Sequence, residues 1–285
     1  MEDNKLIKYE SGQLAKVSNA IAVTNKILNN FELSEQIKKA EKLFINGMVE
    51  YELMQYNEAI IYFDKVIEFN PKHKEVYFKR GTAKFNLKRY DDALIDLNIA
   101  IEINPCYKAY VNKGLIKANI NDYVDAIVNF NKAIEIESNS ADAYIKRGAS
   151  KVKLNEYDGA LEDFNKAIEL SPKSEIAYYN RGDLYFEMKN YPMAIENFER
   201  VIEINPNNEF AYYSRAISRG KCQDLVGAIQ DYSKTIELNN QFESAYYYRG
   251  ITKYLMKDKS ACTDWKKAAE LGEKSALDLI EKYCK

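Results

Sequence analysis

The sequence has little of what most enzyme and metal sites are built from. It contains one histidine, His73, and its four cysteines form no Cys-x-x-Cys pair. Metal sites and Ser-His-Asp sets need a histidine beside suitable partners, whereas His73 follows Pro71 in a segment expected to be a loop. The 11 glycines are spread along the chain and form no phosphate-binding loop. We therefore predict that the protein is not an enzyme and holds no metal or cofactor.

Long apolar runs and an excess of one charge are also missing. No stretch approaches the roughly 18 apolar residues of a membrane span, and residues 1–10 have the mixed charge that a secretory signal lacks. The 41 Lys and Arg residues nearly balance 43 Asp and Glu residues, so we expect no nucleic-acid partner. A chain of 285 residues can bury a core without disulfides, and so we predict reduced cysteines and a cytoplasmic location.

The main positive feature is a set of residues at fixed spacing that recurs every 34 residues, and we call this set the phrase. In one copy the phrase is Tyr144, Gly148, Leu154, Tyr157, Ala160, Phe164, Ala167 and Pro172. Seven copies are predicted at residues 40–73, 74–106, 107–140, 141–174, 175–208, 209–242 and 243–272. The four-then-three spacing from Ala160 to Ala167 forms one stripe of a helix, and the following proline ends that helix. Each copy is therefore expected to be a helical hairpin.

The phrase also explains how two helices of one copy could approach each other. The eighth position of each copy is small: Gly47, Gly81, Gly114, Gly148, Gly182, Ala216 and Gly250. A large side chain recurs in the second helix: Phe63, Leu97, Phe130, Phe164, Phe198, Tyr232 and Trp265. We predict that the small residue lets the helices pack closely and that the large one fills the space beside it.

This helix-turn-helix pattern resembles the tetratricopeptide repeat family over residues 40–272. The resemblance implies an all-α fold, a right-handed α-solenoid or superhelix of antiparallel helix hairpins. It also implies a scaffold or adaptor for protein–protein interaction that binds a peptide or a helix in a concave groove. Residues 273–285 follow a Leu-Gly helix stop and are expected to form a C-terminal capping helix.

Residues 1–39 form a separate N-terminal segment without the phrase. Ile7, Leu14, Ile21 and Leu28 recur every seven residues, which predicts an amphipathic helix over about residues 13–29. Three roles are open: a cap on the first repeat, self-association of two copies through residues 13–31, or a ligand for the chain's own groove.

By resemblance, the groove is lined by the second, fifth, ninth, twelfth and thirteenth positions of each first helix. The predicted groove residues are Phe44, Met48, Tyr51, Phe78, Phe85, Tyr179, Asp183, Phe186, Tyr213, Tyr247 and Tyr254. Such an exposed aromatic wall is typical of a partner site. The set of Lys and Asn residues with which some members of the family hold a terminal carboxylate is absent, so that ligand class is not expected.

A basic ladder runs along the first helices. The seventh position holds Arg80, Lys113, Arg147, Arg181, Arg215 and Arg249, and the eleventh holds Lys84, Lys117, Lys151, Arg219 and Lys253. Second helices carry Asp96, Asn129, Asp163, Asn197, Asp231 and Asp264 opposite the seventh position. The favoured interpretation is an Arg–Asp bond inside each hairpin. The alternative is that the eleventh-position cations form a track for an acidic ligand.

The partner is therefore expected to be a protein or a peptide. Two other functions remain open at this stage. The chain could be a structural component that self-associates through its N-terminal helix, or a non-catalytic regulatory subunit.

Overall fold

The computed structural model describes residues 35–284, which are helical with short connections and contain no strand. Its helices are α1 Glu35–Glu52, α2 Tyr56–Phe69, α3 Val76–Asn86, α4 Tyr90–Ile103, α5 Tyr107–Asn119, α6 Tyr123–Ile136, α7 Ala141–Lys153, α8 Tyr157–Leu170, α9 Glu175–Glu187, α10 Tyr191–Ile204, α11 Glu209–Lys221, α12 Leu225–Leu238, α13 Glu243–Leu255, α14 Ala261–Glu270 and α15 Ser275–Tyr283. None of these helices is long and apolar enough to span a membrane. The helix predicted over residues 13–29 lies outside the described residues.

The helices fall into two compact units. The N-terminal unit ends at Ser138 and contains α1 to α6, whereas the C-terminal unit starts at Asn139 and contains α7 to α15. Within each unit, each helix packs mainly against the next helix in sequence. The prediction of an all-α stack of helical hairpins is therefore confirmed.

In five of the seven hairpins a glycine of the first helix faces an aromatic ring of the second. A Cβ added to Gly114 would lie 2.6 Å from the ring of Phe130, and one added to Gly182 would lie 2.9 Å from the ring of Phe198. Both distances are shorter than carbon atoms tolerate, so a larger residue would force the helices apart. The two phenylalanines are almost fully buried, which places this contact at the centre of their hairpins.

Every turn between the two helices of a hairpin contains one residue in the left-handed backbone region. The seven residues have φ between 59° and 64°, and none is glycine: Met54, Lys88, Asn121, Asn155, Lys189, Gln223 and Lys257. At the first turn the Leu53 N–H donates to the Val49 carbonyl and the Gln55 N–H to the Glu50 carbonyl. These bonds satisfy carbonyl groups at the end of the first helix.

His73 has a structural role. Its Nδ1 atom accepts hydrogen bonds from the backbone N–H groups of Glu75 and Val76, at 3.3 and 3.2 Å, and thereby caps the start of α3. The imidazole ring also packs against Phe44, with 4.4 Å between ring centroids. This single histidine is thus occupied in joining the first two hairpins.

The C-terminal helix α15 packs on α14 and buries Ala276 against a core that contains Trp265. A disulfide between Cys262 and Cys284 joins α14 to the residue that follows α15. The prediction that all cysteines are reduced is wrong for this pair, because the chain folds back and brings two distant cysteines together. The predicted cytoplasmic location rested partly on reduced thiols and loses that support.

Candidate functional site

The first helices of the C-terminal unit form an open cleft between α9 and α11. The cleft has a volume of about 390 Å³ and is lined by Glu175, Ile176, Tyr179, Asn180, Asn208 and Phe210. Ile176 and Phe210 are 64% and 53% exposed. These two residues occupy the second position of adjacent repeats, so their apolar side chains flank the cleft from either side.

Hydrogen bonds hold the polar edge of the cleft in place. The Glu175 carboxylate accepts from the side-chain amide of Asn208 and, at 3.1 Å, from that of Asn205. The side-chain oxygen of Asn208 in turn accepts from the Ala211 N–H at 2.9 Å and caps α11. The cleft edge is therefore fixed before any ligand arrives, which lowers the entropy lost on binding.

Tyr179 forms the base of the same cleft and links its two helices. Its ring packs edge-on against Phe198, and its hydroxyl lies 2.9 Å from the Ser214 hydroxyl of α11. Burial raises the pKa of Tyr179 above its usual value. Within the described residues, the side-chain amide of the neighbouring Asn180 makes no hydrogen bond and so keeps a donor and an acceptor for a ligand.

Asp183 lies one helical turn beyond Tyr179 on the same helix. Its side chain remains exposed, yet desolvation by the surrounding protein, together with the nearby charge of Glu187, raises its pKa to about 6. In the described chain it has no cationic partner. An unpaired carboxylate beside aromatic rings attracts a cationic group, and here the strength of that attraction depends on pH near neutrality.

Tyr213 belongs to an aromatic cluster on α11 to α13. Its ring lies 4.8 Å from that of Phe242, 6.0 Å from that of Tyr232 and 6.2 Å from that of Tyr248. Burial, with the neighbouring Tyr248, raises the pKa of Tyr213 to about 12. Phe242 also contacts Phe210, which connects this cluster to the cleft.

The predicted groove residues of the N-terminal unit are half-buried and pack against its core. Phe44, Met48, Tyr51 and Phe78 contact the core that contains Phe63. Phe85 packs against a second core and against Tyr90, with ring centroids 6.1 Å apart. Much of this aromatic surface is therefore already covered by neighbouring helices of the same unit.

The three remaining predicted residues are spread over the C-terminal unit. Phe186 packs against Tyr191 at 5.4 Å, and Tyr247 packs against Tyr248 at 5.1 Å. Tyr254 stacks at 4.6 Å on Tyr283, beside the disulfide. Of the residues predicted in this unit, only Tyr179 lines the cleft, with Asp183 one turn away.

Five arginines of the basic ladder bond inside their own hairpins, as predicted from the sequence. The pairs are Arg80–Asp96, Arg147–Asp163, Arg181–Asn197, Arg215–Asp231 and Arg249–Asp264. The hairpin of Lys113 differs, because the residue opposite it is Asn129. The side-chain amide of Asn129 donates to the backbone carbonyl of Asp125 at 2.7 Å. The prediction of an Arg–Asp bond is confirmed wherever both residues are present.

The same arginines also reach the second helix of the preceding repeat. Arg181 donates to the side chain of Asn165 at 2.6 Å, and Arg249 donates to the Ser233 hydroxyl at 3.0 Å. One guanidinium therefore joins three helices, which explains why arginine, with its several donors in fixed geometry, stands at these positions.

The eleventh-position cations, proposed as an acidic-ligand track, are paired with carboxylates of the chain itself. Lys84, Lys151, Arg219 and Lys253 lie 2.8 to 2.9 Å from the buried aspartate of their own hairpin. Lys117 instead pairs with Asp122 and Asp125 at 3.0 and 2.9 Å. An acidic ligand would have to displace these carboxylates, so the geometry favours a structural role for the whole ladder.

The sequence prediction missed most of the cleft. Ile176 and Phe210 occupy the second position, which the family resemblance assigns to the groove, and that position was the available signal. Glu175, Asn180 and Asn208 gave no such signal, because their placement depends on how α9 and α11 meet.

Several family profiles match the chain. The profile described as "Tetratricopeptide repeat" matches residues 47–73, 74–105 and 107–140, a second of that description matches 176–208, and one described as "TPR repeat" matches 150–189. Together the matches cover just over half of the chain. No curated protein is similar enough to the chain to count as a match.

Solved structures of repeat proteins superpose on the chain. The C-terminal part of a TPR repeat-containing protein from Cytophaga hutchinsonii has a TM-score of 0.69 and 22% identity, over 82% of this chain and 98% of that one. A tetratricopeptide repeat protein from Parabacteroides merdae has a TM-score of 0.65 and 20% identity, over 86% and 98%. YrrB, described as a TPR protein with an unusual peptide-binding site, has a TM-score of 0.55 and 23% identity, over 65% and 97%. At these identities the likeness establishes the fold alone.

Proposed function

Because the chain belongs to the tetratricopeptide repeat family, whose fold serves as a protein-interaction scaffold and is typically non-catalytic, we propose that it binds an extended peptide across α9 and α11. The observation that carries this proposal is the cleft flanked by the exposed side chains of Ile176 and Phe210. Contiguous exposed apolar surface often marks a site that a partner covers.

The cleft supplies the two kinds of contact that an extended peptide needs. An apolar side chain of the peptide would enter between Ile176 and Phe210 and bury its surface there. The side-chain amide of Asn180 would exchange hydrogen bonds with a peptide group of the ligand backbone, since it offers one acceptor and two donors. The description of YrrB as a protein with a peptide-binding site fits a ligand of this class.

Asp183 gives the proposed ligand a preferred charge. The carboxylate lies next to Tyr179 on the same helix and has no cationic partner in the described part of the chain. We infer that the peptide carries a Lys or Arg in addition to its apolar anchor. Protonation of Asp183 near pH 6 would weaken this contact.

Selection of peptides from a random display library against the full chain, followed by fluorescence anisotropy, tests the proposal. Replacing Ile176 and Phe210 together by Ala should weaken the selected peptides at least about 10-fold, because apolar anchors dominate such interfaces. The matched control is Val226→Ala, which removes an equally exposed side chain from a second helix of the same unit. Equal binding by the double variant and the wild type would refute the site.

Self-association and a role as a regulatory subunit are the competing functions. Light scattering of the full chain and of residues 40–285 separates the first from peptide binding, since a structural oligomer would become monomeric on truncation. A chain that stays monomeric and still binds the selected peptides supports the scaffold function.

A further inference from the structure

Three aliphatic side chains stand exposed on the second helices of the N-terminal unit. Ile61 on α2, Ile95 on α4 and Val128 on α6 are 55%, 59% and 51% exposed. They occupy the same position of successive repeats, directly before the residue that faces the basic ladder. We name this set the outer stripe. It lies on different helices from the peptide cleft and needs an explanation of its own.

An arginine links the two helices that carry the first two members of the stripe. Arg80 donates at once to Asp64 of α2 and Asp96 of α4, which places these helices side by side. Ile61 lies one turn before Asp64, and Ile95 directly precedes Asp96. Ile61 and Ile95 therefore stand at the same position of two successive second helices that Arg80 bonds together.

The stripe is confined to the repeats nearest the start of the described chain. The corresponding residues of the C-terminal unit are Glu162, Glu196, Gln230 and Thr263, all exposed and polar. Since a solvent-facing position of a repeat is expected to be polar, the aliphatic residues indicate that the N-terminal unit is covered here and that the C-terminal unit is not.

On α2 and α4 the border of the stripe carries more acidic than basic residues, although Lys65 lies one turn after Ile61. Glu58 lies one turn from Ile61 on α2, and Asp91 lies one turn from Ile95 on α4, with Glu102 two turns further along the same face. In residues 35–284 none of these three carboxylates has a cationic partner. A segment that covers the stripe should accordingly be apolar on one side and carry positive charge.

We propose that residues 13–29 of the same chain cover the outer stripe. This segment contains Lys16 and Lys26 and no acidic residue, and its sequence predicts an amphipathic helix whose apolar side needs a surface to cover it. The segment and the stripe thus match in both apolar character and charge.

The chain is long enough for this arrangement. Lys39 of α1 lies 4.1 Å from the ring of Phe69 at the end of α2, so the chain enters α1 beside the end of α2. Ile61 is about 12 Å from Phe69 along the helix axis, and residues 30–34 can span about 16 Å when extended. A helix of residues 13–29 would be about 25 Å long, enough to cross the neighbouring second helices.

Docking within one chain is favoured over docking on a second copy. A segment joined by a short linker experiences an effective concentration in the millimolar range. At the micromolar concentrations of a normal experiment, the attached segment would therefore occupy the stripe before another molecule could.

Carbodiimide condensation, which joins a lysine amine to a carboxylate with loss of water, tests the proposal on the full chain. We expect cross-links from Lys16 or Lys26 to Glu58, Asp91 or Glu102. An equal mixture of unlabelled and ¹⁵N-labelled protein identifies their origin. Cross-linked peptides with both halves from one label support docking within the chain, whereas mixed pairs would assign the stripe to a second copy and overturn the proposal.

A set of surface variants gives a second readout, by hydrogen exchange. In the wild type, amides of residues 13–29 should exchange at least about 10-fold more slowly than in an unfolded peptide. The triple variant Ile61→Gln, Ile95→Gln and Val128→Gln should lose this protection, and the control Val226→Gln should keep it. Unprotected amides in the wild type, or protection that survives in the triple variant, would refute the docking. Loss of the peptide cleft's function would leave this result unchanged, since the two surfaces share no residue.

Discussion

The two units repeat one hairpin but present different side chains to solvent. On the second helices, Ile95 and Val128 of the N-terminal unit correspond to Glu162 and Glu196 of the C-terminal unit. On the first helices, the C-terminal unit has the open cleft beside Phe210. The internal contacts, glycine against aromatic ring and arginine against aspartate, occur in both. The hairpin is thus a common framework, and what each unit can bind is set by positions that the framework leaves free.

The largest expected effect on the free energy of unfolding comes from loss of a buried aspartate, and it should be the same in both units. Asp96→Ala and Asp231→Ala each remove a buried carboxylate that holds two cations. Each should lower the free energy of unfolding by about 3 kcal/mol, because the cations lose their buried partner. Urea denaturation followed by circular dichroism measures the change. Asn98→Ala, at an exposed position of the same helix as Asp96, is the control and should cost less than about 0.5 kcal/mol. A large difference between the two units would show that they do not share one framework.

Loss of the disulfide should lower the stability of the C-terminal unit alone. The bond between Cys262 and Cys284 closes a loop with a sequence separation of 22. Replacing Cys284 by Ala should destabilise the chain by about 2 to 4 kcal/mol, since the unfolded state regains the entropy of an open loop. Hydrogen exchange should locate the loss in α14 and α15, with α1 to α6 unchanged. Cys222→Ser, at an exposed free cysteine, should have no effect, and equal exchange in the two variants would count against a role for the bond.

A smaller difference in stability is expected between variants of two ladder lysines. Lys151 of the C-terminal unit reaches the buried Asp163, whereas Lys117 of the N-terminal unit reaches only Asp122 and Asp125. Lys151→Ala should cost about 1 kcal/mol or more because it weakens a shielded pair, and Lys117→Ala should cost less than that, as exposed pairs do. Thermal melts of both variants in low and high salt measure this. If the two costs are equal, burial of the aspartate does not set the strength of the pair.

The smallest expected effect is on the pH dependence of stability, and it involves Asp183. The counterpart of Asp183 in the last repeat of the N-terminal unit is Leu115. The raised pKa of Asp183, about 6, means that the folded chain keeps a proton that the unfolded chain releases near pH 4. The stability contributed by that proton is present below pH 4 and is lost as the pH rises through 6. Asp183→Asn should therefore melt slightly above the wild type at pH 7 and together with it at pH 4. Leu115→Met serves as a pH-independent control, and a melting difference that grows as the pH falls would contradict the assignment.

The framework could be read from the sequence, whereas much of the site could not. Gly182 and Phe198 recur at fixed spacing, and the pairing of Arg215 with Asp231 follows from their joint appearance in successive repeats. These features depend on contacts inside one hairpin, which the repeat period reveals. The sequence also placed Tyr179 among the predicted groove residues, and its side chain lines the cleft between α9 and α11.

Features made by contacts between distant parts of the chain were not predictable in this way. The disulfide forms because α15 returns to α14, and the spacing of Cys262 and Cys284 does not show this return. The cleft needs Asn208, which takes its place because it caps α11 and binds Glu175 of α9. The repeat period does not predict such a bond.

The left-handed residue in each turn makes the stability of this chain adjustable at seven separate places. A non-glycine residue in that region carries a backbone strain of about 1 kcal/mol, and Lys88 and Lys189 are two of the seven places where it occurs. Glycine would relieve that strain at the cost of a more flexible unfolded chain. Because these turns line neither the cleft nor the outer stripe, the melting temperature could be shifted turn by turn while the binding surfaces stay as they are.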